Sequence, residues 1–410
     1  MNHNYKTESY RNPVISIVKS TLGSSVVCLP YVIQQLGIIF GLICFVFFAI
    51  LNIFSHAALA FVARNNSSHS YTELVSKMRV GGSFGLFFCC FIIVLDNTIG
   101  LTFYIYVSSC YYHLVLMHIG FHTPFWIVHS FTAASCVILC FLFRSEESVA
   151  TVNVISLICL FLFTIYVVVS VIYHIPTINW KKLTLFSLEK KLATSFSKIC
   201  FSYSSHFNIV TITTDIKSQN ICKKSILLAN FISFLFYTIT AIAGYILQPN
   251  ASPTFFKESD LSFAKLLLNL ALGTVNVTSY PYLMSACRTS FITLSKLCKT
   301  SLSKEKIEAH REKKMLNEIV LTTAISLVTF SISLGISWGY NLMDPIVSIT
   351  CSVIMFFLPA TFLLLKYRKN LDITGYVFCF ICICLATLGV YCGIVGMFHV
   401  CGSIVSDMIN

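Results

Sequence analysis

Apolar residues run along this chain in long blocks separated by short polar stretches. The hydrocarbon core of a bilayer takes about 20 apolar residues per helix. On that measure the pattern predicts eleven spans, at about 13–34, 38–63, 83–117, 124–143, 149–173, 193–213, 225–247, 262–286, 315–337, 345–366 and 373–398. The third is longer than a bilayer requires and is expected to tilt strongly or to project beyond the membrane. Connections are short. The longest polar one, about 287–314, is expected to be a partly helical surface segment.

Composition agrees with this pattern. Hydrophobic residues make up 56% of the 410 positions and charged residues 11%, against a soluble norm of about 25% charged. So few charges cannot cover the core of a water-soluble fold. The expected fold class is an all-α integral membrane protein with a single transmembrane domain at 13–398, flanked by a short cytosolic segment at 1–12 and a non-cytosolic tail at 399–410. The eighteen cysteines fall inside apolar runs and read as small buried hydrophobes. Cys379 and Cys382 form a C-x-x-C, but in an apolar setting that favours packing over a metal site.

The net charge of +12 raises the question of a nucleic-acid partner. Its placement gives a different answer. With the N-terminus in the cytosol, 20 Lys and Arg fall on the cytosolic side and 5 on the other, with Lys19, Lys198 and Lys265 inside spans. Such asymmetry orients helices in a bilayer. The chain is expected to have a cytosolic N-terminus and a C-terminus outside or in a lumen. The expected partner of the basic surplus is the lipid bilayer, with no nucleic acid and no obligate protein partner. The cluster from Arg288 to Lys314 is a candidate for anionic lipid heads.

Two spans are interrupted. The first carries Lys19-Ser20-Thr21-Leu22-Gly23-Ser24-Ser25 and then Pro30; the sixth carries Phe201-Ser202-Tyr203-Ser204-Ser205-His206. Hydroxyls in one span often bond back to their own helix or join helices together. Two clusters at corresponding ranks point instead to broken helices lining a cavity, the sequence mark of a transporter binding site. Spans one and six lie five apart, which fits two inverted five-helix repeats, at 13–173 and 193–366, with an eleventh helix at 373–398.

At these residues the chain resembles the amino acid/auxin permease family, nearest its sodium-coupled neutral amino acid transporter branch. The resemblance rests on Gly23-Ser24-Ser25-Val26-Val27-Cys28-Leu29-Pro30-Tyr31 in span one and on Phe201 through Asn208 and on to Asp215 in span six. It also rests on Ser279-Tyr280-Pro281 with Arg288-Thr289-Ser290 in span eight. It covers nearly the whole chain. It implies a leucine-transporter-type fold and secondary active transport by alternating access around a site between spans one and six, with contributions from three and eight. The helix restarting after Gly23 offers free N–H groups near Ser24 and Ser25 to an α-carboxylate. Carbonyls near Thr21, Phe201, Ser202 and Ser204 would receive the α-ammonium, and His206 would bound the site. The sequence departs from the family where a glycine is replaced by Ser25 and where an asparagine is replaced by Lys19. Lys19 falls beside the cation site that the family completes with span eight, where Thr278 and Ser279 lie. Sodium coupling is therefore not expected.

Charged residues inside a membrane are functional candidates. Asp96, in span three, is a candidate partner for Lys19, and proton exchange on one of them would couple transport to pH; a fixed structural pair is the alternative. Lys198 lies near the outer end of span six and can reach the interface by snorkelling. No cofactor is implied. A small or medium neutral amino acid is the default substrate, with another small carboxylate as runner-up. The membrane is plasma or vacuolar/lysosomal. An enzyme would need a constellation such as H-E-x-x-H or G-x-S-x-G, and none is present. A channel would carry a filter loop or charged rings. A transceptor-like sensor that binds an amino acid without net transport is the harder alternative.

Overall fold

The computed structural model describes residues 11–143, 146–187, 192–250, 263–299 and 310–409, and among them there is helix and connection but no strand. The helices are α1 (Arg11–Thr21), α2 (Leu29–Leu36), α3 (Ile38–Asn65), α4 (Tyr71–Met78), α5 (Gly82–His118), α6 (Phe125–Leu142) and α7 (Glu146–His174). They continue as α8 (Leu192–Tyr203), α9 (His206–Thr214), α10 (Gln219–Leu247), α11 (Phe263–Lys299), α12 (His310–Leu334), α13 (Ile336–Ser352), α14 (Leu358–Tyr367) and α15 (Ile373–Ile409).

Among the described residues, seven helices are long and apolar enough to cross a membrane, or eight if the pair Asn12–Thr21 and Ser25–Leu36, bent by 47°, is one span. This is a multi-pass, all-helical membrane protein. The expected spans six, eight and nine fall on helices outside that set. The physical reason is plain for the sixth: α8 and α9 have 12 and 9 residues, each too short to cross alone. The long third span is borne out as one helix of 37 residues, about 55 Å at 1.5 Å per residue. Of the basic segment at 287–314, residues 287–299 end α11 and 310–314 begin α12, so it is partly helical as expected, and 300–309 lie outside the described residues.

The chain divides into two compact units. The first is drawn from 1–80, 166–255 and 344–410. It contains α1 to α4, α8 to α10, α14 and α15. Its outward faces are apolar at helical spacing: Phe47, Ile50 and Phe54 on α3, Leu227, Phe231 and Leu235 on α10. Polar residues point inward, the inverse of a soluble helix and the pattern that lipid demands.

Three local devices shape this unit. Gly37 joins α2 to α3 with φ +79°, and a Cβ there would lie 2.6 Å from the Phe186 backbone nitrogen. The close approach is made by the segment Thr184–Ser187, which bonds to Leu36, Ile38 and Ile39 through the backbone. Next, Gly389 and Gly393 let α15 lie against α13. A Cβ on Gly389 would meet Ser352 Oγ at 1.8 Å, and one on Gly393 would meet Ile349 Cγ1 at 2.4 Å. Small residues are how helices approach closely in lipid. Finally, a π-helical turn at Val353–Phe357 precedes Pro359. The Leu358 N–H bonds to Val353 O, and Pro359 has no N–H to offer. Ile354 O and Met355 O are thereby released, and Tyr71 Oη and Ser55 Oγ donate to them at 2.9 and 2.7 Å.

Gly37→Ala should lower the melting temperature by several degrees, since it combines a left-handed backbone with a backbone clash. Unchanged melting of the purified variant would show that the loop at 184–187 does not hold α2 to α3.

The second unit is drawn from 81–165 and 256–343. It is built on α5 and α11 lying along one another, with α6 and α12 packed beside them. Leu101, Ile105, Cys136, Val277, Tyr280 and Cys287 form its core. Cysteines here act as small apolar residues, as the sequence suggests. Gly100 and Gly273 allow the approach, since a Cβ at either would fall 2.6 or 2.5 Å from Leu283 or Tyr112.

Candidate functional site

Both interrupted helices belong to the first unit. In the first, α1 stops at Thr21 and Gly23 is extended, with φ −119° and ψ −159°. The chain then restarts as a 3-10 turn, Ser24–Cys28, running directly into α2. In the second, α8 stops at Tyr203 and α9 starts at His206. Hydroxyl residues at both breaks, and Gly23 at the first, compete for backbone bonds or loosen the helix.

The breaks meet through hydroxyls. Thr21 Oγ1 lies 3.1 Å from Ser205 Oγ, and Ser205 Oγ lies 3.1 Å from His56 Nε2 on α3. His56 Nδ1 is 3.1 Å from Asn230 Nδ2 on α10, and Asn230 Oδ1 accepts from Asn52 Nδ2 at 2.7 Å. Proton directions follow from the carbonyls in the chain. Asn230 Nδ2 also donates to Ile226 O at 2.8 Å, which fixes that amide, so His56 Nδ1 is the acceptor. His56 Nε2 therefore carries the proton and donates to Ser205. Thr21 Oγ1 donates to Ile17 O at 2.9 Å, so it accepts from Ser205. All five of these side chains are buried.

His206 starts α9, fully buried, its ring 4.6 Å from that of His56 at an interplanar angle of 61°. Its Nε2 is 2.9 Å from Ser55 Oγ. The Ser55 proton goes to Met355 O, so His206 Nε2 is the donor and Nδ1 is a bare acceptor. His206 Nδ1 and Ser204 Oγ are both buried without a hydrogen-bond partner among the described residues. A buried polar atom left unpaired costs about 1–3 kcal/mol. Both of these atoms lie beside the second helix break.

On α10, Tyr237 Oη reaches both Thr21 O and Ser202 O. These two carbonyls are therefore already served by a side chain. Of the carbonyls expected to meet an ammonium, Phe201 O accepts the backbone N–H of Ser204 at 3.3 Å, and Ser202 Oγ bonds back to Lys198 O at 2.8 Å. Ser25 is buried, 4% exposed. Its side chain is part of the interior beside the first break.

Lys19 is buried in the last turn of α1. Asp96 is buried on α5 in the second unit, as is Ser279 on α11, next to the half-buried Thr278. Thr278 Oγ1 donates to Thr274 O at 2.7 Å and Ser279 Oγ to Val275 O at 2.6 Å. The structure thus brings Thr21, Phe201, Ser202, Ser204 and His206 together in one unit with Gly23, Ser24, Ser25 and Lys19.

Lys198 does not snorkel. It is 6% exposed and pairs with Asp344 of α13, Nζ to Oδ1 and Oδ2 at 2.9 and 2.8 Å, with the Tyr31 ring 5.9 Å away. Ser197 Oγ adds a bond to Asp344 O at 2.6 Å. Asp344 escapes notice in the sequence because it falls one residue outside the expected tenth span. His56, Asn52, Asn230 and Tyr237 are also missed. Their signal is helical spacing: Asn52 and His56 are four apart, and Asn230 and Tyr237 seven apart, each pair on one face of an apolar helix.

Residues 6–399 match the family model described as transmembrane amino acid transporter protein. A comparison with curated proteins finds no match.

Proposed function

Because this chain belongs to the family of transmembrane amino acid transporter proteins, we propose that it moves a small or medium neutral amino acid across a plasma or vacuolar/lysosomal membrane. Transport is by alternating access and is proton-coupled or uncoupled rather than sodium-coupled. The family is one of transporters, not of enzymes. The observation that carries the reading is the pair of broken helices joined at Thr21 and Ser205, with the unpaired atoms of Ser204 and His206 beside the break.

In this reading the chain crosses the membrane eleven times as two inverted five-helix repeats and one further helix, with its N-terminus cytosolic. The first N–H groups of the turn at Ser24 and Ser25 lack intrahelical acceptors and receive the carboxylate. The ammonium takes the other break. His206 Nδ1 and Ser204 Oγ are neutral acceptors suited to it, along with the second lone pair of the Phe201 carbonyl. Thr21 and Ser202 shape the site from behind, because Tyr237 holds their carbonyls. No charged side chain is needed to bind a zwitterion, which fits a neutral substrate. Lys19 supplies a fixed or exchangeable positive charge at the end of α1, and Asp96, Thr278 and Ser279 are the further candidates for a role in coupling.

The test is uptake into proteoliposomes of a panel of labelled neutral amino acids, with pH and sodium gradients imposed separately. A pH gradient should stimulate uptake several-fold or leave it unchanged, and sodium should do nothing. Lys19→Asn should remove the pH response or create a sodium requirement. Unchanged uptake in both Lys19→Asn and Lys19→Ala would remove Lys19 from the mechanism. No uptake of any member of the panel would favour binding without transport.

A further inference from the structure

Two half-helices end at one phenol. Thr21 is the last residue of α1, and Ser202 lies in the last turn of α8. The N–H groups that would serve their carbonyls in an unbroken helix belong to Ser25 and His206, beyond the breaks. Each helix C-terminus carries about half a negative charge. Two such ends facing one point are what a transporter uses to hold a coupling cation. Here that point is taken by Tyr237 Oη, within hydrogen-bond reach of both oxygens. The ring is fully buried and packs edge-on to Tyr203, centroids 5.1 Å apart at 82°.

We propose that Tyr237 is a positioning residue whose hydroxyl stands in for a monovalent cation between the Thr21 and Ser202 carbonyls, so that the two broken helices are held together without an ion. One proton shared by two acceptors does, without charge, what a cation would do by coordination. The side chain thereby closes this point to sodium. This deepens the transport reading and rests on it for its meaning, but it makes a claim about cation binding that needs no substrate to test.

The experiment is thermal melting of the purified full chain in detergent, in sodium chloride and in choline chloride at equal ionic strength, backed by equilibrium binding of labelled sodium. Wild type should melt alike in both salts and bind no sodium saturably. Tyr237→Phe removes the donor but fills the space, and should melt several degrees lower in both salts equally. Tyr237→Ser empties the space and should recover part of its loss in sodium alone, by a few degrees and saturably. Tyr237→Thr replaces it if the serine variant does not yield folded protein. A purely structural tyrosine would give lower melting with no dependence on the cation. Sodium stabilisation of the wild type, a folded serine or threonine variant indifferent to sodium, or wild-type melting of Tyr237→Phe would each overturn the proposal. Failure of the uptake panel would leave these results untouched, so the two readings fail separately.

Discussion

Asp344→Leu should be among the most damaging single substitutions in the first unit, costing about 3–5 kcal/mol. It removes the carboxylate that meets the Lys198 ammonium, on a side chain only 6% exposed, through both of its oxygens. The reciprocal Lys198→Met should cost less, because the Asp344 side chain is 27% exposed and water can serve it. The double variant Lys198→Met/Asp344→Leu should recover most of the loss, since an apolar pair of similar volume often matches a buried ion pair. The measurement is melting of the three proteins side by side. Equal damage from both single substitutions, with no recovery in the double, would mean that the pair contributes through something other than its charges.

The second large effect is expected at His56. His56→Leu leaves Ser205 Oγ without its donor and Asn230 Nδ2 with one proton unserved, in a region closed to water. At 1–3 kcal/mol for each stranded group, the loss should be about 2–6 kcal/mol. It should also be coupled to the first break. A double-mutant cycle with Thr21→Val should give an interaction energy of about 1 kcal/mol or more, because the two side chains share Ser205. Additive losses would mean that the hydroxyl chain does not connect α3 to α1. In proteoliposomes His56→Leu should also reduce uptake at least tenfold, through loosening of the breaks rather than loss of a substrate contact. His56→Asn should restore part of that uptake, because a carboxamide can both donate and accept.

Much of this was legible in the sequence, and the boundary is instructive. Long apolar runs announce a membrane protein because lipid leaves the backbone few options. The breaks at Gly23 and at Ser204–Ser205 are visible because small and hydroxyl residues are conspicuous in such runs. The partners of those breaks are harder to see. His56, Asn230 and Tyr237 sit singly in otherwise ordinary spans, and only the packing of α3 and α10 against α1 and α9 gives them a common purpose. Asp344 shows a different limit: a span boundary misplaced by a residue turns an intramembrane acid into a loop acid. The break carbonyls show a related limit, since Tyr237 reaches two of them. Spacing shows which carbonyls a break releases, but not which side chain from another helix reaches them first.

The hydrogen-bond chain from Asn52 to Ile17 has a handedness of its own. Every donor in it points the same way: Asn52 to Asn230, Asn230 to His56, His56 to Ser205, Ser205 to Thr21, Thr21 to the α1 backbone. Such a chain is a row of dominoes already leaning in one direction. It can be reversed only if the His56 proton changes nitrogen. Asn230 blocks that change, its amide held at one end by Asn52 and at the other by Ile226 O. The tautomer of a histidine on α3 is therefore a record of where α10 stands relative to α1. Any motion that slides one past the other has to rewrite it.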